Sequence, residues 1–197
     1  MATEIEAKFL NIDHDDIRAK LLAVGAVLEA PMRLMRRQLF DFPDGRLHAA
    51  NGGRVRVRDE GGRTTLNYKS DDGGQYAQEF ETIVGSYNET VEILEAIGLI
   101  AFTHQQTKRE TWQLGDTEVV LDVWPWLNPF IEIEGPSEDR IRAVTQQLGL
   151  DWAAAVFGGA DTVYRLQYPG MTASETVGQV AELSFGGPMP QWLADRI

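Results

Sequence analysis

The sequence predicts an α+β fold, a closed eight-stranded antiparallel β-barrel with helices packed on its outside. Three observations point there. Charged and apolar residues alternate strictly in several short segments, as at Glu4-Ile5-Glu6-Ala7-Lys8 and Arg54-Val55-Arg56-Val57-Arg58, and alternate residues of a strand share a face. Turn sequences such as Gly61-Gly62 and Gly115-Asp116 join neighbouring segments and favour hairpins over crossovers. Capped amphipathic helices stand between the strand groups, each with an apolar stripe to lay on a sheet.

Taken in order, the first strand sets Ile5, Ala7 and Phe9 against Glu4, Glu6 and Lys8 on its other face. Asp13 caps a helix that reaches about Val24, with Ile17, Leu21, Leu22 and Val24 as its apolar side and Gly25 as its stop. Residues 32–42 read as extended and end at the turn Pro43-Asp44-Gly45. The strand 54–58 returns through Gly61-Gly62 into residues 64–69, which put Thr65, Asn67 and Lys69 on one face and Leu66 and Tyr68 on the other. Asp71-Asp72-Gly73-Gly74 is a further turn, and in 77–83 Glu79 and Glu81 flank Phe80. Ser86-Tyr87-Asn88-Glu89 has the form of a capping box. Its helix ends at Gly98 and is expected to bury Ile93, Leu94 and Ile97. Residues 103–114 and 118–124 are strands joined at Gly115-Asp116, and Phe130-Ile131-Glu132-Ile133-Glu134 closes the series. Ser137 caps a helix with Ile141, Val144 and Leu148 inward, and 152–157 read as a short helix. Residues 1–170 form the expected barrel domain. Residues 171–197 form a tail, helical over 172–183, that packs on the barrel or covers an opening.

Composition narrows the function classes. The chain has 197 residues, a formal charge of −12 and no cysteine, which excludes disulfides, thiolate metal sites and cysteine nucleophiles. The acidic balance argues against nucleic-acid binding. No apolar run is long enough to span a bilayer and no export signal precedes the first strand, so a cytoplasmic protein without membrane association is expected. His14, His48 and His104 are isolated, and neither a Walker A loop nor a dinucleotide fingerprint is present. The scarce cations, by contrast, concentrate between Arg33 and Arg63.

One alternating strand is most simply a face turned to water. Here the pattern recurs at Glu4/Glu6/Lys8, Arg54/Arg56/Arg58, Glu79/Glu81 and Glu132/Glu134, and Lys69 and Asp122 occupy similar faces. The polar positions hold like-charge doublets, and the apolar positions form a continuous side for helices to cover. Closing such a sheet removes its edges and turns the charges into a lumen. Paired like charges need neutralising there. Carboxylates suit Mg2+ or Mn2+, and arginine forks suit phosphate oxygens. A polyphosphate carried with a divalent ion meets both demands.

The ordered residues resemble the CYTH superfamily, the triphosphate tunnel metalloenzymes. Glu4, Glu6 and Lys8 match its opening E-x-E-x-K strand, and Phe40-Asp41-Phe42-Pro43-Asp44-Gly45-Arg46-Leu47 is similar to its Y-F-D-T-P-D-G-R-L stretch. Val55-Arg56-Val57-Arg58, Lys69, Glu79-Phe80-Glu81, Arg109, Leu121-Asp122 and Phe130 to Glu134 follow in family order, over residues 2–168. Leu127-Asn128-Pro129 departs from the glycine the family often carries before its last strand. The resemblance implies an eight-stranded tunnel in which Glu4, Glu6, Glu132 and Glu134 hold the metal, assisted by Glu79, Glu81 and Asp122. It makes Lys8, Arg56, Arg58, Lys69 and Arg109 phosphate ligands, with Arg36 matched to a further arginine and Arg37 as its alternative. Arg54 shares the inward parity but lies outside the motif. Glu4, Glu6 and Lys8 are the expected catalytic set, the water being metal-bound or assisted by Lys8.

The activity expected first is hydrolysis of the terminal phosphoryl group of inorganic triphosphate or a nucleoside or organic triphosphate. Cyclisation of ATP to cyclic AMP and pyrophosphate is the enzymatic alternative, and a non-catalytic polyphosphate or nucleotide binder the third. The partner in each case is a triphosphate-containing small molecule, and a homodimer is left open.

Overall fold

The computed structural model describes residues 5–70 and 78–197, without the side chains of Gln78 and Glu79. Glu4 and the turn Asp71-Asp72-Gly73-Gly74 therefore lie outside the described residues. The elements are β1 (Ile5–Leu10), α1 (His14–Ala23), β2 (Val27–Asp41), α2 (Arg46–Asn51), β3 (Arg54–Asp59), β4 (Thr64–Ser70), β5 (Gln78–Val84), α3 (Tyr87–Ala96), β6 (Ile100–Leu114), β7 (Thr117–Val123), β8 (Phe130–Gly135), α4 (Glu138–Gln147), α5 (Ala160–Gln167), β9 (Glu182–Leu183) and α6 (Gln191–Ala194). The first eight strands make the predicted eight-stranded antiparallel sheet with helices, in the order β1-β8-β7-β6-β2-β3-β4-β5. Two residues of β9 add to β6 in parallel, His104 opposite Glu182. No described helix is long and apolar enough to cross a membrane.

The chain divides into two compact units, one of Met1–Arg33, Thr107–Val177 and Met189–Ile197, the other of Leu34–Gln106 and Gly178–Pro188. In the first, Asp13 accepts hydrogen bonds from the amides of Asp15 and Asp16 to start α1, and Ser137 accepts from Arg140 to start α4. Such caps satisfy amides that have no partner within the helix. Ile17 and Leu21 of α1 and Ile141 and Val144 of α4 then pack, with Leu148, on Ala7, Phe9, Val119, Leu121, Ile131 and Ile133. Each such side chain contributes about 1.5–3 kcal/mol by leaving water. That core covers one face of β1, β8 and β7 and leaves the other to charged side chains.

In the second unit, Phe40, Val57, Leu94 and Leu99 form the core under α3. The helix is capped by Ser86 as expected, but its stripe differs from the expected one. Leu94 is buried, whereas Ile93 and Ile97 are more than 60% exposed. Tyr87, Thr90, Val91 and Leu94 face the sheet side instead, one step around the helix from the residues chosen by hydrophobicity. The helix α2 was not expected. Buried Asp41 nucleates it by accepting from the amides of Leu47 and His48.

The other differences lie toward the C-terminus. Residues 152–157 give one 3-10 turn, Trp152–Ala154, and then Val156 bridges to Lys8 through the backbone. The helix expected over 172–183 is absent. A 3-10 turn at Val177–Gln179 and the strand β9 stand there. Tertiary hydrogen bonds replace the helical ones: Arg165 donates to the carbonyls of Met171, Thr172 and Glu175, and Asp161 accepts from the Val177 amide.

Candidate active site

The first unit assembles an acidic cluster by strand register. Glu6 stands opposite Glu134 and Lys8 opposite Glu132 across β1 and β8. Glu118 stands opposite Glu134 across β7 and β8, and Arg109 opposite Asp122 across β6 and β7. Cross-strand partners share a face, so all seven side chains emerge on the side away from the α1/α4 core.

Their contacts form a chain. Lys8 Nζ lies 2.6 Å from Glu6 Oε1 and 3.4 Å from Glu132 Oε1. The Arg109 guanidinium donates to both oxygens of Asp122, at 2.8 and 2.6 Å, and to Glu132 Oε2 at 2.8 Å. Glu132 thus joins the two cations, and Asp122 is fully buried beneath. Burial and the neighbouring Asp122 charge push the Glu132 carboxyl above the usual range, more than Arg109 and Lys8 pull it down. Burial opposes the Lys8 charge, but Glu132 and Glu6 outweigh it and raise the ammonium pKa. Lys8 consequently stays protonated at neutral pH. That fits a donor to phosphate oxygens. Arg33 adds a second guanidinium nearby, donating to the Arg109 carbonyl and Thr111 Oγ1.

These residues fit a hard divalent cation by donor type and charge: the carboxylates share one face, and burial, then the Asp122 charge beside it, raises the proton affinity of Glu132. Among the described residues no three acidic or histidine side chains already converge as a metal cage. Lys8 and Arg109 cross-link the carboxylates there.

The second unit gathers the arginines. Arg54 pairs with Lys69, Arg56 with Asn67 and Arg58 with Thr65 across β3 and β4. Lys69 and Asn67 continue to Glu79 and Glu81 on β5. Only the backbone of Glu79 is described, so its side-chain role lies outside the described residues. Glu81 Oε2 is 3.5 Å from Arg56 and 3.7 Å from Arg58, and its Oε1 is 3.2 Å from Arg63. Arg58 also meets Glu60 at 2.6 Å, while its buried Nε makes no hydrogen bond. The expected assisting metal ligand Glu81 therefore stands among three guanidiniums.

Register also corrects one arginine. Arg37 is opposite Arg58, whereas Arg36 is opposite Asp59. Arg37 shares the face of Arg56 and Arg58. Arg36 lies on the opposite face, paired with Asp59 and 5.8 Å from the Tyr87 ring centre. Two adjacent arginines cannot both face one way on a strand, and of the two matches left open Arg37 is the one on the face of Arg56 and Arg58. The signal was available: Phe40 is a core residue on β2, so Arg36 and Gln38 share its side. Glu118, Arg33 and Glu60 were also missed, though Glu118 has the parity of Asp122.

The model of the CYTH domain family matches residues 2–151. A putative adenylate cyclase from Vibrio parahaemolyticus has a similar structure, with a TM-score of 0.71 at 16% identity over 82% of this chain and 97% of that one. A protein from Pyrococcus horikoshii OT3 gives 0.61 at 21% identity, covering 78% of this chain and 94% of that one. A Hippeastrum protein, described as a putative adenylyl cyclase with a dominant triphosphatase activity, gives 0.53 at 15% identity over 88% and 98%. No curated protein matches.

Proposed function

Because the chain belongs to the CYTH domain family, we propose that it is a divalent-metal-dependent triphosphatase that removes the terminal phosphoryl group of a triphosphate. The observation that carries this reading is Glu132, held between Lys8 and Arg109 beside buried Asp122. A largely buried cluster of carboxylates and cations on one strand face suits a polyanion that carries a metal ion. In this reading Glu4, Glu6, Glu132 and Glu134 would hold Mg2+ or Mn2+, with Asp122 assisting. A bound ion would neutralise phosphate charge and make a water molecule more nucleophilic.

The chain's own groups supply the rest. Protonated Lys8 and Arg109 donate to phosphate oxygens and stabilise charge that develops as the terminal phosphoryl group transfers. In the second unit Arg37, Arg56, Arg58 and Lys69 are the groups suited to phosphate oxygens, and Glu81 fixes the Arg56 and Arg58 forks. Pre-pairing with carboxylates orients each donor before the substrate arrives, which limits reorganisation during reaction.

The test is a panel of inorganic triphosphate, ATP, GTP and thiamine triphosphate with Mg2+ or Mn2+, with product analysis. Orthophosphate release that is lost in EDTA and in Glu6→Gln supports the reading. Full activity in Glu6→Gln removes it. Cyclic AMP with pyrophosphate from ATP would replace it with the cyclase reading, which the Vibrio protein's description favours.

A further inference from the structure

Lys8 is flanked on both sides. β1 ends the sheet order, and one of its edges carries β8. On the other edge Lys8 exchanges backbone hydrogen bonds with Val156: its amide donates to the Val156 carbonyl at 2.9 Å, and its carbonyl accepts from the Val156 amide at 2.9 Å. Both backbone groups of a strand residue point to the same edge. Lys8 and Glu132 are therefore a non-hydrogen-bonded pair of the β1–β8 ladder, the kind whose side chains stand closer together. Val156 also satisfies peptide groups that would otherwise draw water to this edge, beside an ammonium that lies 3.4 Å from Glu132.

The segment that carries Val156 is anchored on the core side of the sheet. Trp152 and Ala155 pack against the core under α1 and α4. The Phe157 ring lies 5.8 Å from that of Trp152, which in turn lies 6.5 Å from the Phe9 ring and 4.2 Å from the Arg142 guanidinium carbon. Val156, between Ala155 and Phe157, has the opposite parity and shares the face of Lys8. The Lys8 side chain thus has Glu132 on its β8 flank and a half-buried isopropyl group on the other, and Lys8 is only 2% exposed. An apolar neighbour offers the ammonium no alternative acceptor. It also keeps the local dielectric low, which strengthens the contacts that the ammonium does make.

We propose that Val156 is a positioning residue for Lys8, clamping its backbone and walling its side chain so that the ammonium is aimed at the transferring phosphoryl group. The inference rests on the triphosphate reading and adds to it a residue from beyond the region that the family model matches, residues 2–151. The effect falls on turnover more than on binding. Arg109 still holds a bound triphosphate when Lys8 is loosely aimed, whereas charge that develops during transfer needs the ammonium in place.

The experiment compares Val156→Ala, Val156→Ile and Phe157→Ala with the wild type in the full chain, and a thermal melt checks each variant. kcat and KM are read on the best triphosphate substrate of the panel. Limited acylation with an amine reagent, read by mass spectrometry, compares Lys8 with Lys20, whose side chain is 37% exposed. Val156→Ala should lower kcat about tenfold and leave KM within about twofold. It should also raise the Lys8-to-Lys20 labelling ratio about tenfold, as the flank of the ammonium opens. Val156→Ile keeps the apolar wall, and Phe157 is 53% exposed on the other face. Both of those variants should stay within about twofold of the wild type in turnover and labelling. Either effect in Val156→Ala without the other overturns the inference, as does an equal loss of kcat in Phe157→Ala. If the wild type turns over no triphosphate, the triphosphatase reading fails separately. Labelling then reads the Val156 clamp alone: a raised ratio in Val156→Ala supports it, and an unchanged one overturns it.

Discussion

Arg36 and Arg37 are chemically identical neighbours with opposite expected roles, so substituting each by Gln separates register from motif. Arg37 lies across from Arg58 on the arginine face, where the proposal has it donate to a phosphate oxygen. A hydrogen bond between charged groups contributes about 1.5–3 kcal/mol. Losing it should reduce kcat/KM about 10- to 150-fold, since about 1.4 kcal/mol is a factor of ten. Arg36 is 58% exposed and paired with Asp59. Solvent screening holds such a pair to about 0–1 kcal/mol of stability, with no effect on turnover. Phosphate release on the best substrate of the panel, with urea denaturation of both variants, reads the two outcomes. Arg36→Gln losing activity while Arg37→Gln keeps it would refute the face assignment.

Four further substitutions test separate parts of the molecule. Glu132→Gln should lower metal-dependent turnover by at least about 100-fold, measured by phosphate release. Its stability should also rise relative to the wild type as pH increases from about 4 to 7. The raised carboxyl pKa means the fold favours the protonated form, a contribution present below the unfolded pKa and lost as pH rises through the folded one. Glu110 shows the opposite sign. Burial opposes its charge, but hydrogen bonds from Arg18 and Trp112 outweigh that and depress its pKa. Glu110→Gln should therefore cost about 1–3 kcal/mol at pH 7 in urea denaturation, and the difference should shrink as pH falls through the folded pKa. Leu94→Ala should cost about 2–5 kcal/mol, and Ile93→Ala less than about 0.5 kcal/mol, because only Leu94 is buried.

The strands were legible because their alternation has a period of two, and a register error would turn core residues into water. By that rule alone Glu6, Lys8, Asp122 and Glu132 fall on one face in the first unit, and Arg56 and Arg58 on one face in the second, as the register has them. Failures occurred where one residue of phase mattered and composition did not fix it. In α3, Ile93, Leu94 and Ile97 are equally apolar, and contact with Val57 and Phe40 decides which is buried. At Arg36-Arg37 both neighbours satisfy a motif, and only pairing with β3 chooses. The C-terminal segment was illegible for another reason. Residues 172–183 carry no strong period, and side chains distant in sequence, Asp161 and Arg165, supply their hydrogen bonds.

Lys8 and Arg109 show what the internal pairing does for a charged site. Removing a carboxylate or ammonium from water costs several kcal/mol unless a partner compensates. Here Lys8 and Arg109 both already have carboxylate oxygens within 3.4 Å. Under the proposed function an arriving polyanion with its ion would exchange partners: phosphate oxygens would take Lys8 and Arg109 donors, and the released carboxylates would turn to the cation. The exchange adds balanced charge to a site that is already desolvated, so neither partner alone should bind well. The expected signature is mutual dependence in calorimetry. Metal should tighten triphosphate binding, triphosphate should tighten metal binding by the same factor, and Glu132→Gln should abolish both effects together. Equal triphosphate affinity with and without metal would refute the exchange.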